Sequence, residues 1–104
     1  MLLTTTALDE WTLRGIVYCG GCGDLMDGLT RGGTRTRVYA CLRGCCRGGT
    51  VASVLELMVL TDARRHSPEL IEGVPERCHS QVFADLYRAI VIHAGHRGVD
   101  ILPR

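Results

Sequence analysis

The chain has 104 residues, enough for one small domain, and its formal charge of +1 and isoelectric point near 7.7 favour no class of partner. No membrane span is predicted, because the longest apolar stretch, around 51–60, is interrupted by Ser53 and Glu56 and is too short. Residues 1–4 do not resemble a signal peptide, so we expect a cytoplasmic protein. Thiols stay reduced in the cytoplasm, and the six Cys therefore favour a metal site over disulfides.

The distribution of Gly and Cys divides the chain into three parts. Residues 1–14 are interpreted as a leader whose Trp11 packs on the next segment. Residues 15–50 hold five of the six Cys and ten of the 13 Gly, so we predict a zinc ribbon with dense turns. Residues 51–104 are predicted to be mainly helical. The expected fold is a small α+β domain, a zinc β-ribbon of short antiparallel strands with two Cys turns, followed by two or three helices.

The predicted ribbon contains three short strands, at 15–18, 24–30 and 34–40. Arg31-Gly32-Gly33 is predicted to form the turn before the third strand, since Gly tolerates the positive φ of a tight reversal. Alternation along that strand places Arg35, Arg37 and Tyr39 on one face and Thr36 and Val38 on the other.

The C-terminal part begins with a predicted helix over 51–61, with Thr50 as its N-cap. Its expected core stripe has helical spacing and consists of Val51, Val54, Leu55 and Met58. Leu57, Val59 and Leu60 make the other side apolar as well, so we expect the helix to be covered on two sides. A short helical turn near 67–72, a second helix over 80–94 and a brief strand over 99–102 complete the prediction.

The cysteine spacing predicts a metal site. Cys19 and Cys22 are separated by two residues, which lets both thiolates reach one ion, and the glycines around them allow backbone N–H groups to face the sulfurs. Cys41 begins a second pair, completed by either Cys45 or Cys46, and spacing alone leaves that choice open. One structural Zn²⁺ is the expected cofactor. An iron–sulfur cluster and a thiol redox couple are the alternatives.

The same region resembles the recombinase zinc β-ribbon domain of large serine recombinases, the integrases of phages and mobile elements. The resemblance rests on Leu13-x-Gly15-x-Val17-x-Cys19-x-x-Cys22-Gly23-x-x-Met26, on Arg37-x-Tyr39-x-Cys41 and on Cys46-x-Gly48-x-Thr50-Val51. It covers about residues 13–60 and implies that Cys46 is the fourth ligand. No residue of this chain matches the family's catalytic domain or its coiled-coil insertion. The resemblance therefore implies DNA contact without strand cleavage.

A local excess of positive charge favours a DNA surface. Between Gly28 and Leu55 the chain has no acidic residue and five arginines, which are Arg31, Arg35, Arg37, Arg43 and Arg47. Arginine suits phosphate and guanine edges, and with Tyr39 these residues form the predicted DNA-binding set. The alternative is an ordinary solvated surface whose arginines reflect a GC-rich coding sequence. Asp24 and Asp27 are further expected to weaken the patch if they pair with Arg35 or Arg37.

Two functions follow from these features. The first is a zinc-ribbon module that binds double-stranded DNA and is derived from, or acts beside, a mobile-element recombinase. The second is a structural-zinc interaction module that pairs with a recombinase partner or a second copy through the apolar helix Val51–Leu60. We expect no enzymatic activity, because the sequence contains no recognisable nucleophile–base pair and a four-thiolate zinc site is closed.

Overall fold

The structure is a computed structural model, and it describes residues 11–31, 36–43, 49–93 and 98–104. Its strands are β1 (Val17–Cys19), β2 (Asp27–Arg31), β3 (Thr36–Ala40), β4 (Thr50–Val51), β5 (Tyr87–Ile92) and β6 (Val99–Pro103). Its helices are α1 (Ala52–His66), α2 (Pro68–Ile71) and α3 (His79–Leu86), with a 3₁₀ turn at Glu76–Cys78 before α3. The predicted small α+β fold, with short antiparallel strands and following helices, is confirmed. In the described ranges no helix is both long and apolar enough to cross a bilayer.

The strands form two three-stranded sheets. In the first sheet β5 is central, paired in parallel with β1 and antiparallel with β6. In the second sheet β3 is central, and it pairs antiparallel with both β2 and β4. Because β1 pairs with β5, which lies some 70 residues later, the start of the Cys-rich segment and the C-terminal part share one sheet.

The predicted helix over 80–94 is wrong beyond Leu86. The helix ends there, and Tyr87–Ile92 is a strand. The apolar spacing of this segment suits either structure, but the run Ile90-Val91-Ile92 is β-branched and its neighbour β1 supplies the backbone partners. The predicted terminal strand is confirmed as β6.

The core-facing stripe of α1 also differs from the prediction. Ala52, Leu55, Val59 and Ala63 are buried, and this spacing defines one helical face. Of the predicted stripe, only Leu55 is in the core, whereas Val51, Val54 and Met58 are exposed. Val51 belongs to β4 and pairs with Val38, so the helix begins one residue later than predicted. The two alanines allow α1 to lie close to the elements beneath it.

Trp11 packs on the second sheet. Its ring meets the ring of Tyr39 edge-on, with centroids 5.5 Å apart, and its side chain is buried. A Cβ at Gly28 would lie 2.4 Å from the Trp11 ring, so only glycine fits at this position of β2. The indole therefore covers the face of the sheet on which Tyr39 lies.

Candidate metal centre and adjoining basic surface

Three cysteines converge where β1 and β3 end. Cys19 is the last residue of β1, Cys41 directly follows β3, and Cys22 lies in the turn after β1. Their sulfur atoms all lie within 4.8 Å of one another, and those of Cys22 and Cys41 are 3.6 Å apart. The structure thus brings together three of the four predicted ligands. Cys46 and its alternative Cys45 lie outside the described residues.

Three backbone N–H groups around Cys22 donate hydrogen bonds, two to carbonyl oxygens and one to a sulfur. The N–H of Gly23 donates to the carbonyl oxygen of Cys19 at 2.7 Å, and the N–H of Gly20 donates to that of Ile92 at 2.8 Å. The N–H of Gly21 points at the Cys19 sulfur, 3.3 Å away, and such a donor stabilises a thiolate. Gly23 adopts a φ of +81°, and a Cβ at Gly20 would lie 3.0 Å from the Ile92 carbonyl oxygen, so both positions favour glycine.

The distances between the sulfurs fit a tetrahedral thiolate site. Zn–S bonds of about 2.3 Å place neighbouring ligand sulfurs about 3.8 Å apart, close to the separation of Cys22 and Cys41. A disulfide would require about 2.05 Å. Cys19 and Cys41 are buried while Cys22 is exposed, so the site lies at the edge of the core. These three residues can hold a metal ion.

Arg37, a predicted DNA contact, is bound to Glu56 of α1. Its two terminal nitrogens donate to the two carboxylate oxygens of Glu56 at 3.2 and 2.9 Å, and its guanidinium lies 5.2 Å from the centre of the Trp11 ring. The Arg37 side chain is 30% exposed and that of Glu56 17% exposed. Arg37 therefore links the second sheet to α1 and keeps only part of its surface in solvent.

Tyr39, a member of the predicted DNA-binding set, is a core residue. It has no exposed surface, because Trp11 and α1 cover the face of the sheet on which it lies. Its hydroxyl donates to Glu56 at 2.9 Å and accepts from the backbone N–H of Leu13 at 3.2 Å. Burial, reinforced by the charge of Glu56, raises the pKa of Tyr39 well above its ordinary value. Tyr39 is thus not available for DNA contact.

The other predicted contacts lie at or beyond the limits of the described region. Arg43 is exposed and forms an ion pair with Asp24. The sequence had suggested Arg35 or Arg37 as the partner of Asp24. The carboxylate of Asp27 accepts from the N–H of Gly28. Arg35 and Arg47 fall outside the described residues, as does the side chain of Arg31.

Glu56 is the residue of this surface that sequence reasoning missed. The acid-free stretch that suggested a basic patch ends at Leu55, one residue before it. Since Glu56 lies on α1 and Arg37 on β3, only the packing of helix on sheet brings them together. A polar residue inside the apolar run 51–60 was the available signal.

Comparison with known proteins supports the fold. No family model matches the sequence, and no significant match to a curated protein is found. The structure is similar to one from a study of the sequence requirements of the Listeria innocua prophage attP site, with a TM-score of 0.63 and 17% sequence identity. The likeness covers 89% of this chain but only 42% of the other, so this chain spans less than half its length.

Proposed function

We infer that the chain is a zinc-ribbon module that binds double-stranded DNA, related to the DNA-contacting part of a serine recombinase and without strand-cleavage activity of its own. The observation that carries this proposal is the convergence of Cys19, Cys22 and Cys41 within a fold that resembles a structure from an attP-site study. The motifs around these cysteines, which resemble the recombinase ribbon, support the same conclusion.

In this proposal the metal is structural. Cys19, Cys22 and Cys41 would hold Zn²⁺ together with Cys46, and the ion supplies cross-links between segments distant in sequence. Cys19 ends a strand of the first sheet and Cys41 follows a strand of the second, so their common ion fixes one sheet relative to the other. Four thiolates leave no open position for a reacting water, which agrees with a module that is not an enzyme. Thiolate ligands also require a reducing compartment, and we place the chain in the cytoplasm.

The proposed DNA surface lies along the hairpin of β2 and β3 and the segment after Cys41. Arg31, Arg35, Arg43 and Arg47 would bind phosphates there, with Arg43 exchanging the carboxylate of Asp24 for a phosphate. The Arg43 side chain is 71% exposed, which makes that exchange sterically simple. Arg37 would contribute its exposed part while still bound to Glu56. The arginines neutralise phosphates, and the proposed zinc fixes the surface that carries them.

A salt-series titration tests the proposal. Zinc-loaded protein is titrated with duplex DNA, and three or four phosphate contacts predict a log–log slope of about −3 to −4. The Arg35→Gln/Arg47→Gln variant should bind more weakly with a shallower slope. The Arg64→Gln/Arg65→Gln variant removes the same charge from the exposed last turn of α1 and should retain the wild-type slope. Wild-type affinity that does not change with salt would contradict DNA binding.

A second candidate function is favoured by the exposed side of α1. Val54, Leu57 and Met58 are 55%, 61% and 43% exposed, and Val51 at the start of the helix is 42% exposed. An interaction module would use this apolar surface to bind a second copy or a recombinase partner. Sedimentation at micromolar concentration should then show a dimer that Leu57→Glu dissociates. The DNA-binding proposal predicts a monomer in both samples.

A further inference from the structure

A shallow groove lies beside the metal centre, where β1 and β5 run in parallel. Its volume is about 440 Å³, and its walls include Tyr18, Gly20, Gly23, Arg88 and Val91. Cys19, one of the three converging cysteines, is also among its lining residues. This surface belongs to the first sheet, whereas the DNA surface proposed above belongs to the second.

Arg88 is the charged residue of this groove. The pairing of β5 with β6 shifts register between Tyr87 and Ala89, and Arg88 at this irregularity is exposed. No carboxylate of the described residues forms an ion pair with Arg88, whereas Arg37 and Arg43 are bound to Glu56 and Asp24. Among the described residues its guanidinium has neither an ion-pair nor a hydrogen-bond partner, so its donors can bind a ligand.

The neighbouring groups define what the groove can bind. Tyr18 is half-buried on β1, and within the described part of the chain its hydroxyl makes no hydrogen bond. The N–H groups of Gly20, Gly21 and Gly23 already donate to the Ile92 carbonyl oxygen, the Cys19 sulfur and the Cys19 carbonyl oxygen, respectively. The side chains of Arg88 and Tyr18 provide the donors that a ligand in this groove would use.

The other charged groups near the groove are acidic. Asp100 lies in the same cross-strand row as Tyr18 and Val91, and its carboxylate accepts a hydrogen bond from His93 at 2.9 Å. Thiolates at the metal centre would add negative charge beside Cys19. Among the described residues that line the groove, Arg88 carries the positive charge. An anionic ligand would therefore bind at its guanidinium.

We propose that this groove binds a phosphodiester of the DNA backbone. The Arg88 guanidinium donates two hydrogen bonds to the phosphate oxygens, a geometry for which its planar fork is suited, and the Tyr18 hydroxyl donates a third. The inference rests on the proposed function and extends it, because it adds a contact on the first sheet. DNA then follows both sheets, with the metal centre between them.

The test uses the zinc-loaded full chain, duplex DNA and the salt series described above. Arg88→Gln should weaken binding at least threefold at 100 mM salt and bring the log–log slope about 0.9 closer to zero. Arg88→Lys should retain the slope, since the charge is kept. Tyr18→Phe should weaken binding about tenfold without a change of slope, as expected for one lost hydrogen bond to a charged phosphate. Arg64→Gln is the matched control, an exposed arginine on α1 that loses the same charge.

Four results would overturn the proposal. If Arg88→Gln and Arg64→Gln behave alike, Arg88 contributes only general charge. If Arg88→Gln loses zinc while its salt slope stays at the wild-type value, Arg88 instead balances the charge of the thiolates. If the wild-type protein shows no salt-dependent binding, the proposed function fails together with this contact. Wild-type binding that is unaffected by Arg88→Gln rejects the groove alone.

Discussion

The Arg37 guanidinium and the Glu56 carboxylate face each other with two hydrogen bonds, of 3.2 and 2.9 Å, across the junction of β3 and α1. The Tyr39 hydroxyl donates to the same carboxylate, and the Trp11 ring lies beside the guanidinium. Two of the residues predicted to contact DNA are therefore bound to one acidic residue of the helix. This contact joins the second sheet to α1.

Glu56→Ala should destabilise the zinc-loaded protein by about 1–3 kcal/mol, because Arg37 and Tyr39 both lose a partly buried hydrogen-bond acceptor. Glu69→Ala is the matched control, an exposed acidic residue of α2, and it should change the free energy of unfolding by less than about 0.5 kcal/mol. Urea unfolding measures both values. Equal effects of the two substitutions would show that the Arg37–Glu56 contact adds no stability.

Two leucines of α1 lie on different faces of the helix, one buried and one exposed. Leu55 is fully buried, whereas Leu57 is 61% exposed. Leu55→Ala should cost about 2–5 kcal/mol of unfolding free energy, and Leu57→Ala less than about 0.5 kcal/mol. Denaturant unfolding of the two variants provides the measurement. A large loss in Leu57→Ala would mean that this side of the helix is covered in solution, as the interaction-module function requires.

Tyr87 makes the free energy of unfolding depend on pH in the alkaline range. Burial raises the pKa of Tyr87 above its ordinary value near 10, and its 2.6 Å hydrogen bond to Asp62 raises that pKa further. The neutral tyrosine is thus favoured in the folded state, and its stabilisation is complete below about pH 10 and declines as the pH rises above that value. The chain has no Lys, so no lysine titration overlaps this range.

The stability of wild-type protein should therefore fall more steeply between about pH 9.5 and 11 than that of Tyr87→Phe, as followed by urea unfolding at successive pH values. Tyr18→Phe serves as the control, since Tyr18 has no hydrogen-bond partner among the described residues. Parallel curves for wild type and Tyr87→Phe would contradict the assignment. Tyr39, whose pKa is raised as well, should maintain part of the slope in the variant.

Cys45 and Cys46 are adjacent in sequence, and we expect only Cys46 to bind zinc. The family resemblance assigns the fourth ligand to Cys46, so Cys46→Ser should weaken zinc binding at least tenfold in a chelator competition. Cys45→Ser should bind zinc as tightly as wild type. The opposite order would assign the ligand to Cys45 and reject that part of the resemblance.

Local signals in the sequence were enough for the fold class and for most of the metal site. The two-residue spacing of Cys19 and Cys22, with the glycines around them, determines a tight turn whose geometry depends on little else in the chain. The position of Cys41 after a β-branched strand likewise follows from its neighbours. These features are encoded within a few residues, and the structure places the three sulfurs together.

Features that depend on distant partners were not predictable in the same way. Tyr87–Ile92 has apolar spacing that fits helix or strand, and its pairing with β1 decides between them. Strand alternation correctly placed Arg37 and Tyr39 on one face but could not show that α1 and Trp11 cover that face. Likewise, α1 is apolar on two sides, so its sequence alone does not reveal which stripe is buried.

The most direct test is native mass spectrometry of the purified chain, since the central claim is that Cys19, Cys22 and Cys41 hold one metal ion. We predict one zinc ion per chain in wild type and in Cys78→Ser, because Cys78 is exposed and lies outside the cluster. Cys22→Ser should lose the ion and most of the folded population. The assignment of these cysteines to a metal site would be contradicted if wild-type protein contained no zinc and had a mass lower by two hydrogens, because Cys22 and Cys41 would then form a disulfide.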